Sequence, residues 1–124
     1  MKSILASLLL AALVLAASLL ALSCKGKSNP AGPGGAADVT INIVGNLGAS
    51  SFSRNPDTVA VGHTVSWHNS DGTTHRVVNN GIVIWDTNNI TGGSTSTPIQ
   101  MNTTGSFGYH CSIHNSMVGT LVVR

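Results

Sequence analysis

From Val39 onward the apolar residues come in short alternating runs, and glycine, asparagine, serine or proline cuts off nearly every run within a few positions. Val39, Ile41 and Ile43 alternate with Thr40 and Asn42; Val59, Val61, Val65 and Trp67 keep one parity, with Gly62 marking a turn or bulge between two short strands. The turn cluster Asn69-Ser70-Asp71-Gly72 precedes Val77-Val78, and Asn79-Asn80-Gly81 precedes the run Ile82 to Trp85. After a polar stretch, Ile99 and Met101 share a parity. Phe107, Tyr109 and Cys111 do so after Gly105, and Val118 to Val123 closes the chain. Alternation at every second residue buries one face of a strand and wets the other, whereas a helix would repeat every three to four. The expectation is an all-β fold, a two-sheet antiparallel Greek-key β-sandwich of seven to eight strands.

The sandwich begins near Asp38, because what precedes it has a different character. Residues 1–23 carry Lys2 and then an apolar run from Ile4 to Leu22 broken only by Ser7 and Ser18, the pattern of an export signal. A run of about 20 residues also suffices to span a bilayer, so length alone leaves a retained helix open. Ala21-Leu22-Ser23-Cys24 resembles the lipobox of bacterial lipoproteins, although leucine stands two places before the cysteine where that motif prefers three. By that resemblance Cys24 is lipidated and N-terminal after cleavage; the uncleaved helix and a plain secreted protein are the alternatives. Residues 24–37 follow as the lipidated cysteine and a Gly/Pro tether, KGKSNPAGPGGAA, which spans about 20 Å root-mean-square. The expected organisation is thus 1–23 signal peptide, 24–37 tether and 38–124 one folded domain, exported and held at the periplasmic or outer surface of a bacterial membrane.

Charge excludes some partners. Within 38–124 the charged residues are Asp38, Asp57, Asp71 and Asp86 against Arg54, Arg76 and Arg124, with no lysine and no glutamate. No basic stripe exists for nucleic acid, and a protein partner would feel little long-range steering. A monomer is expected. The cysteines say more, since exported domains of this size usually carry disulfides. If Cys24 bears lipid, Cys111 has no partner within the chain, and metal ligation is one reason to keep such a thiol.

Cys111 sits in YHCSIHNSM, residues 109–117, which holds a thiol, an imidazole (His114) and a thioether (Met117). Their three-residue spacing would suit a buried helical stripe, but Gly105, Gly108 and Gly119 bracket a segment flanked by β-branched and aromatic residues. Strands on both sides make the middle a loop. Thiolate and imidazole suit copper, zinc or iron, and a thioether favours copper; two histidines and a cysteine with a weak axial methionine make a blue-copper electron-transfer site. The second histidine must come from elsewhere. His63 adjoins the Gly62 turn, His68 has the opposite parity to Val65 and Trp67, and His110 alternates with Cys111, so these three read as surface residues. His75 follows the Asn69–Gly72 turn, and strands ending at Asn69 and Cys111 can deliver it to the same pole.

The stretches PDTVAVGHTVSWHNSDGTTHRVV and TGSFGYHCSIHNSMVGTLVV resemble the plastocyanin family of cupredoxins over nearly all of 38–124, and the gap between His114 and Met117 is most similar to amicyanin. The resemblance implies a copper plane of His75, Cys111 and His114 with Met117 axial. It also implies a bond from the backbone N–H of Arg76 to the Cys111 sulfur and an Asn69 that braces the ligand loops. Where the family usually has proline, this chain has Ile113, which removes a ring and adds an N–H to the loop.

The function so implied is a one-electron carrier with a single Cu(I)/Cu(II) ion, exchanging electrons with donor and acceptor redox proteins. Docking is expected at an apolar edge of Ile113, Asn115, Ser116 and Val118 around His114, transient and weakly salt-dependent. An enzyme is not expected: the His-x-His pairs of multicopper oxidases are missing, and no carboxylate or general base stands with the four ligands. Copper storage or delivery on the same fold is the alternative.

Overall fold

A computed structural model describes residues 36–82 and 84–124; the leader, Cys24 and the tether up to residue 35 lie outside the described residues. The strands are β1 (Val39–Ile43), β2 (Asp57–Val59), β3 (Thr64–Asn69), β4 (Val77–Asn79), β5 (Ile99–Gln100), β6 (Gly105–Cys111) and β7 (Val118–Val123), with one 3-10 turn at Gly48–Ser50. They form a three-stranded sheet ordered β1-β3-β5 and a four-stranded sheet ordered β2-β7-β6-β4. Among the described residues no helix is long and apolar enough to cross a membrane.

The alternation is obeyed where it was clearest. Ile41 and Ile43 of β1 are buried while Thr40 and Asn42, which alternate with them, are exposed. Inward residues of both sheets then meet in one core: Val65 and Trp67 from β3, Val77 from β4, Tyr109 and Cys111 from β6, Leu121 and Val123 from β7. Its centre is aromatic. Trp67 stacks on Trp85 at 5.1 Å, Tyr109 meets Phe52 edge-on at 4.8 Å, and burial pushes the Tyr109 phenol well above its ordinary range. Tyr109 lies opposite Gly119, where a Cβ would fall 2.3 Å from the ring, so the ring occupies the space a side chain would need.

Three expectations need correction. The sheets are mixed rather than antiparallel, because β1 runs parallel to β3 and β2 parallel to β7. Parallel neighbours need a crossover, and here β2 in the opposite sheet supplies it between β1 and β3; a strand's own pattern does not specify its partner. Val61 is 45% exposed, because it falls in the turn with Gly62 (φ 84°) and not in a strand. Ile82 and Ile84 are 88% and 59% exposed while Trp85 is buried, and none of the three lies in a strand, so the sandwich has seven strands among the described residues. Both isoleucines are held by Asn79, whose Nδ2 donates to Ile82 O (2.8 Å) and whose Oδ1 accepts from Ile84 N–H (2.8 Å).

Among the described residues only β6 and β7 are consecutive strands of one sheet joined antiparallel. Their connection is residues 112–117, the cluster that stood out in the sequence. The register pairs Ile43 with Asn69, Val77 with Cys111 and His110 with Val118, which brings the ends of β1, β3 and β6 and the starts of β4 and β7 to one pole.

Candidate metal centre

Each side of that pole is locked by backbone bonds. In the β6–β7 loop, Cys111 N–H donates to Met117 O (3.1 Å) and Met117 N–H to His114 O (2.9 Å), so the chain folds back within one tight turn. Cys111 and Met117 are both fully buried and His114 is half-buried. On the opposite side His75 N–H donates to Ile90 O (3.0 Å) and Ile90 N–H to His75 O (2.7 Å), which fixes the backbone of a histidine with no solvent exposure.

The side chains converge. Cys111 Sγ lies 3.6 Å from His75 Nδ1 and 3.7 Å from His114 Nδ1, and the two Nδ1 atoms are 3.2 Å apart. One metal ion bonded in a plane to two imidazoles and a thiolate, at about 2.0–2.3 Å, separates these atoms by about 3.5–3.8 Å. The donor set is thus already near the size of a single ion, and its soft and borderline donors suit a transition metal. The rings are tilted by 59° with centroids 4.9 Å apart, and both present the same nitrogen, Nδ1. His63, His68 and His110 point elsewhere, toward Asp38 (3.5 Å), Thr95 (2.9 Å) and Asn80 (2.6 Å) respectively.

Asn69 ties the β3–β4 loop to the connection between β4 and β5. Fully buried at the end of β3, it donates from Nδ2 to Thr73 O (2.7 Å) and Ile90 O (2.9 Å), and its Oδ1 accepts from Asp71 N–H (2.9 Å). Those contacts hold the turn ahead of His75 and the Ile90 carbonyl that His75 N–H also meets. Arg76 adjoins the ligand loop through its backbone. The ladder begins one residue later, at Val77, and leaves the Arg76 carbonyl facing the ligand loop, where Ser112 N–H donates to it at 2.8 Å. The Arg76 guanidinium reaches outward to Asp86, with Nε 3.0 Å from Oδ1, and holds that carboxyl below its usual range.

The expectation that no carboxylate accompanies the ligands is overturned. Asp71 Oδ2 lies 2.9 Å from His75 Nε2 and accepts from the Thr73 hydroxyl at 2.7 Å. Hydrogen bonds from Thr73, His75 and the Gly72 amide hold the Asp71 carboxyl down to about 2. The signal was present as Asp71 four residues ahead of His75, but a turn cluster reads as turn chemistry until its fold-back is known. Around the half-buried His114, Ile113 and Val118 are 49% and 41% exposed, with Asn115 and Ser116 also exposed. Sequence reasoning missed the neighbouring loop at this edge: Ser116 Oγ donates to Asn46 Oδ1 (2.8 Å), and Leu47 beside it is 61% exposed.

Comparison with known proteins gives a consistent picture. No family model matches the chain. Plastocyanin of Scenedesmus fuscus is 28% identical over an alignment that covers 70% of this chain and all of the plastocyanin. Among solved structures, a purple cupredoxin from Nitrosopumilus maritimus superposes with a TM-score of 0.62 at 26% identity, covering 70% of this chain and 100% of that one. The Cu(I) form of an amicyanin mutant superposes with a TM-score of 0.59 at 23% identity, covering 77% and 90% of the two chains; at that identity the likeness speaks for the fold.

Proposed function

We propose that this plastocyanin-like cupredoxin is a one-electron carrier that holds a single copper ion between His75, Cys111, His114 and Met117. One observation carries the reading: two Nδ1 atoms and a buried thiol sulfur face one another within 3.7 Å, at the pole where Met117 is also fully buried. Copper bound there supplies reversible one-electron chemistry between Cu(I) and Cu(II). The chain's own part is to hold the donors still. The Ile90 bridge and the Asn69 bonds fix His75, and the bonds between Cys111, His114 and Met117 fix the ligand loop, so the donors need little rearrangement when the charge changes. The sandwich excludes water from the sulfur.

His114 is the least buried of the four, so electrons enter and leave along its edge. The exposed Ile113, Asn115, Ser116 and Val118, with Leu47 beside them, form an apolar rim with no charged side chain among them. Redox proteins dock there transiently, and their transfer rates depend little on salt. Lipid on Cys24 and the tether ahead of residue 38 keep the domain at a membrane surface while leaving this pole free to turn toward partners.

The test is optical. Cu(II) added to the metal-free protein should produce an intense visible band that Cys111→Ser abolishes, and the bound metal should reduce and reoxidise reversibly. A colourless Cu(II) complex, or one that cannot be cycled, would favour storage or delivery over electron transfer.

A further inference from the structure

Building on the copper reading above, we propose that Asp71 is a positioning residue of the metal centre: its carboxylate fixes the tautomer of His75, presets Nδ1 as the ligand atom and lowers the reduction potential by favouring Cu(II). The decisive atom is Nε2 of His75. Its two neighbours are Asp71 Oδ2 at 2.9 Å and Thr73 Oγ1 at 3.1 Å. An ionised carboxylate can only accept a hydrogen bond. The Thr73 hydroxyl proton already goes to Asp71 Oδ2 at 2.7 Å, so toward the ring that oxygen offers lone pairs. Both neighbours therefore demand a proton on Nε2. A neutral imidazole with its proton there carries its lone pair on Nδ1, the atom that faces Cys111 Sγ. The ring has no solvent exposure, so water does not compete for either nitrogen.

The carboxylate is itself held. Its Oδ1 accepts from Gly72 N–H at 2.7 Å, and the Asp71 backbone N–H is anchored on Asn69 Oδ1. Gly92 packs against its carbonyl, where a Cβ would lie 2.8 Å away. His114 has no such support: among the described residues no hydrogen bond reaches its Nε2, and its ring is placed by the closure of the loop. The two imidazoles are thus unequal. An imidazole that donates to a carboxylate becomes a more basic ligand, and the extra electron density stabilises the doubly charged ion more than the singly charged one.

The experiment uses the full chain, metal-free and copper-loaded, as wild type, Asp71→Asn and Asp71→Ala. Nitrogen-15 NMR of the metal-free wild type should show His75 protonated at Nε2 and bare at Nδ1. Asp71→Asn keeps an acceptor without the charge, so the tautomer should persist while the potential rises. Asp71→Ala should lose the fixed tautomer and weaken Cu(II) binding about tenfold with Cu(I) binding unchanged, a rise of about 59 mV for a one-electron couple. A merely structural role would leave the potential of the folded, blue Asn variant where it was, and that result overturns the assignment. So would a wild-type His75 protonated at Nδ1. If the wild type gave no blue Cu(II) centre, the copper reading would fail on its own, and the tautomer measurement on metal-free protein would still decide the part played by Asp71.

Discussion

Replacing Asn69 with alanine is the sharpest test of how the β3–β4 loop presents His75. The side chain is fully buried and makes three hydrogen bonds, two donated to Thr73 O and Ile90 O and one accepted from Asp71 N–H. A net value of about 1 kcal/mol for each gives a loss of about 3 kcal/mol, and carbonyls left buried without partners push the figure upward. Cavity collapse adds little, since the deleted group is small. For a domain of this size about 3 kcal/mol corresponds to a fall in melting temperature of about 12–24 °C. The assay is urea unfolding of the metal-free protein, with the midpoint shifted and the slope unchanged. Asn69→Asp separates the donors from the acceptor, because it keeps an oxygen for Asp71 N–H but sets a carboxylate against two carbonyls; it should be at least as destabilised as the alanine variant. An aspartate variant as stable as the wild type, or an alanine variant that loses less than about 1 kcal/mol, would refute the bracing argument.

Gly119→Ala should destabilise the sandwich by about 3 kcal/mol or more, the upper end of overpacking costs, because Tyr109 is wedged between Phe52 and Trp67 and cannot yield; an unchanged thermal melt would show that the ring moves freely. Asp38 accepts from the Thr64 amide and hydroxyl at 2.8 Å each, and these bonds, the amide foremost, hold its carboxyl below the usual carboxylate range. Its folded value being depressed, this contribution is present above the ordinary carboxylate range and fades as pH falls through the depressed value. Urea midpoints measured downward from about pH 5 should therefore fall less steeply in Asp38→Asn. Cys24→Ala should move the full-length protein from the membrane fraction to the soluble one; retention in the membrane pellet would instead mark the apolar run at 4–22 as an uncleaved helix.

What the sequence determined by itself was local. Alternation in β1 and β7 follows from the pleat, which turns every second side chain inward, whereas β3 is buried on both faces because the fold covers it. The crowding of Cys111, His114 and Met117 in one loop is likewise a matter of sequence spacing, and the chemistry of those donors is the same in any fold. His75 was separated from the other histidines by parity and by its place after a turn. Tertiary structure decided the rest. Which strands pair in parallel depends on crossovers between sheets, and no strand's own pattern encodes its partner. The apolar composition of Ile82 to Trp85 suggests a strand, yet the bonds of Asn79 hold Ile82 and Ile84 outside the sheets. Asp71 was counted among the turn residues, and only the fold-back of residues 70–76 puts its carboxylate on the far nitrogen of a buried histidine. Hydrogen bonds act over about 3 Å, so a group's electrostatic role is fixed only when the fold has brought its partner within that reach.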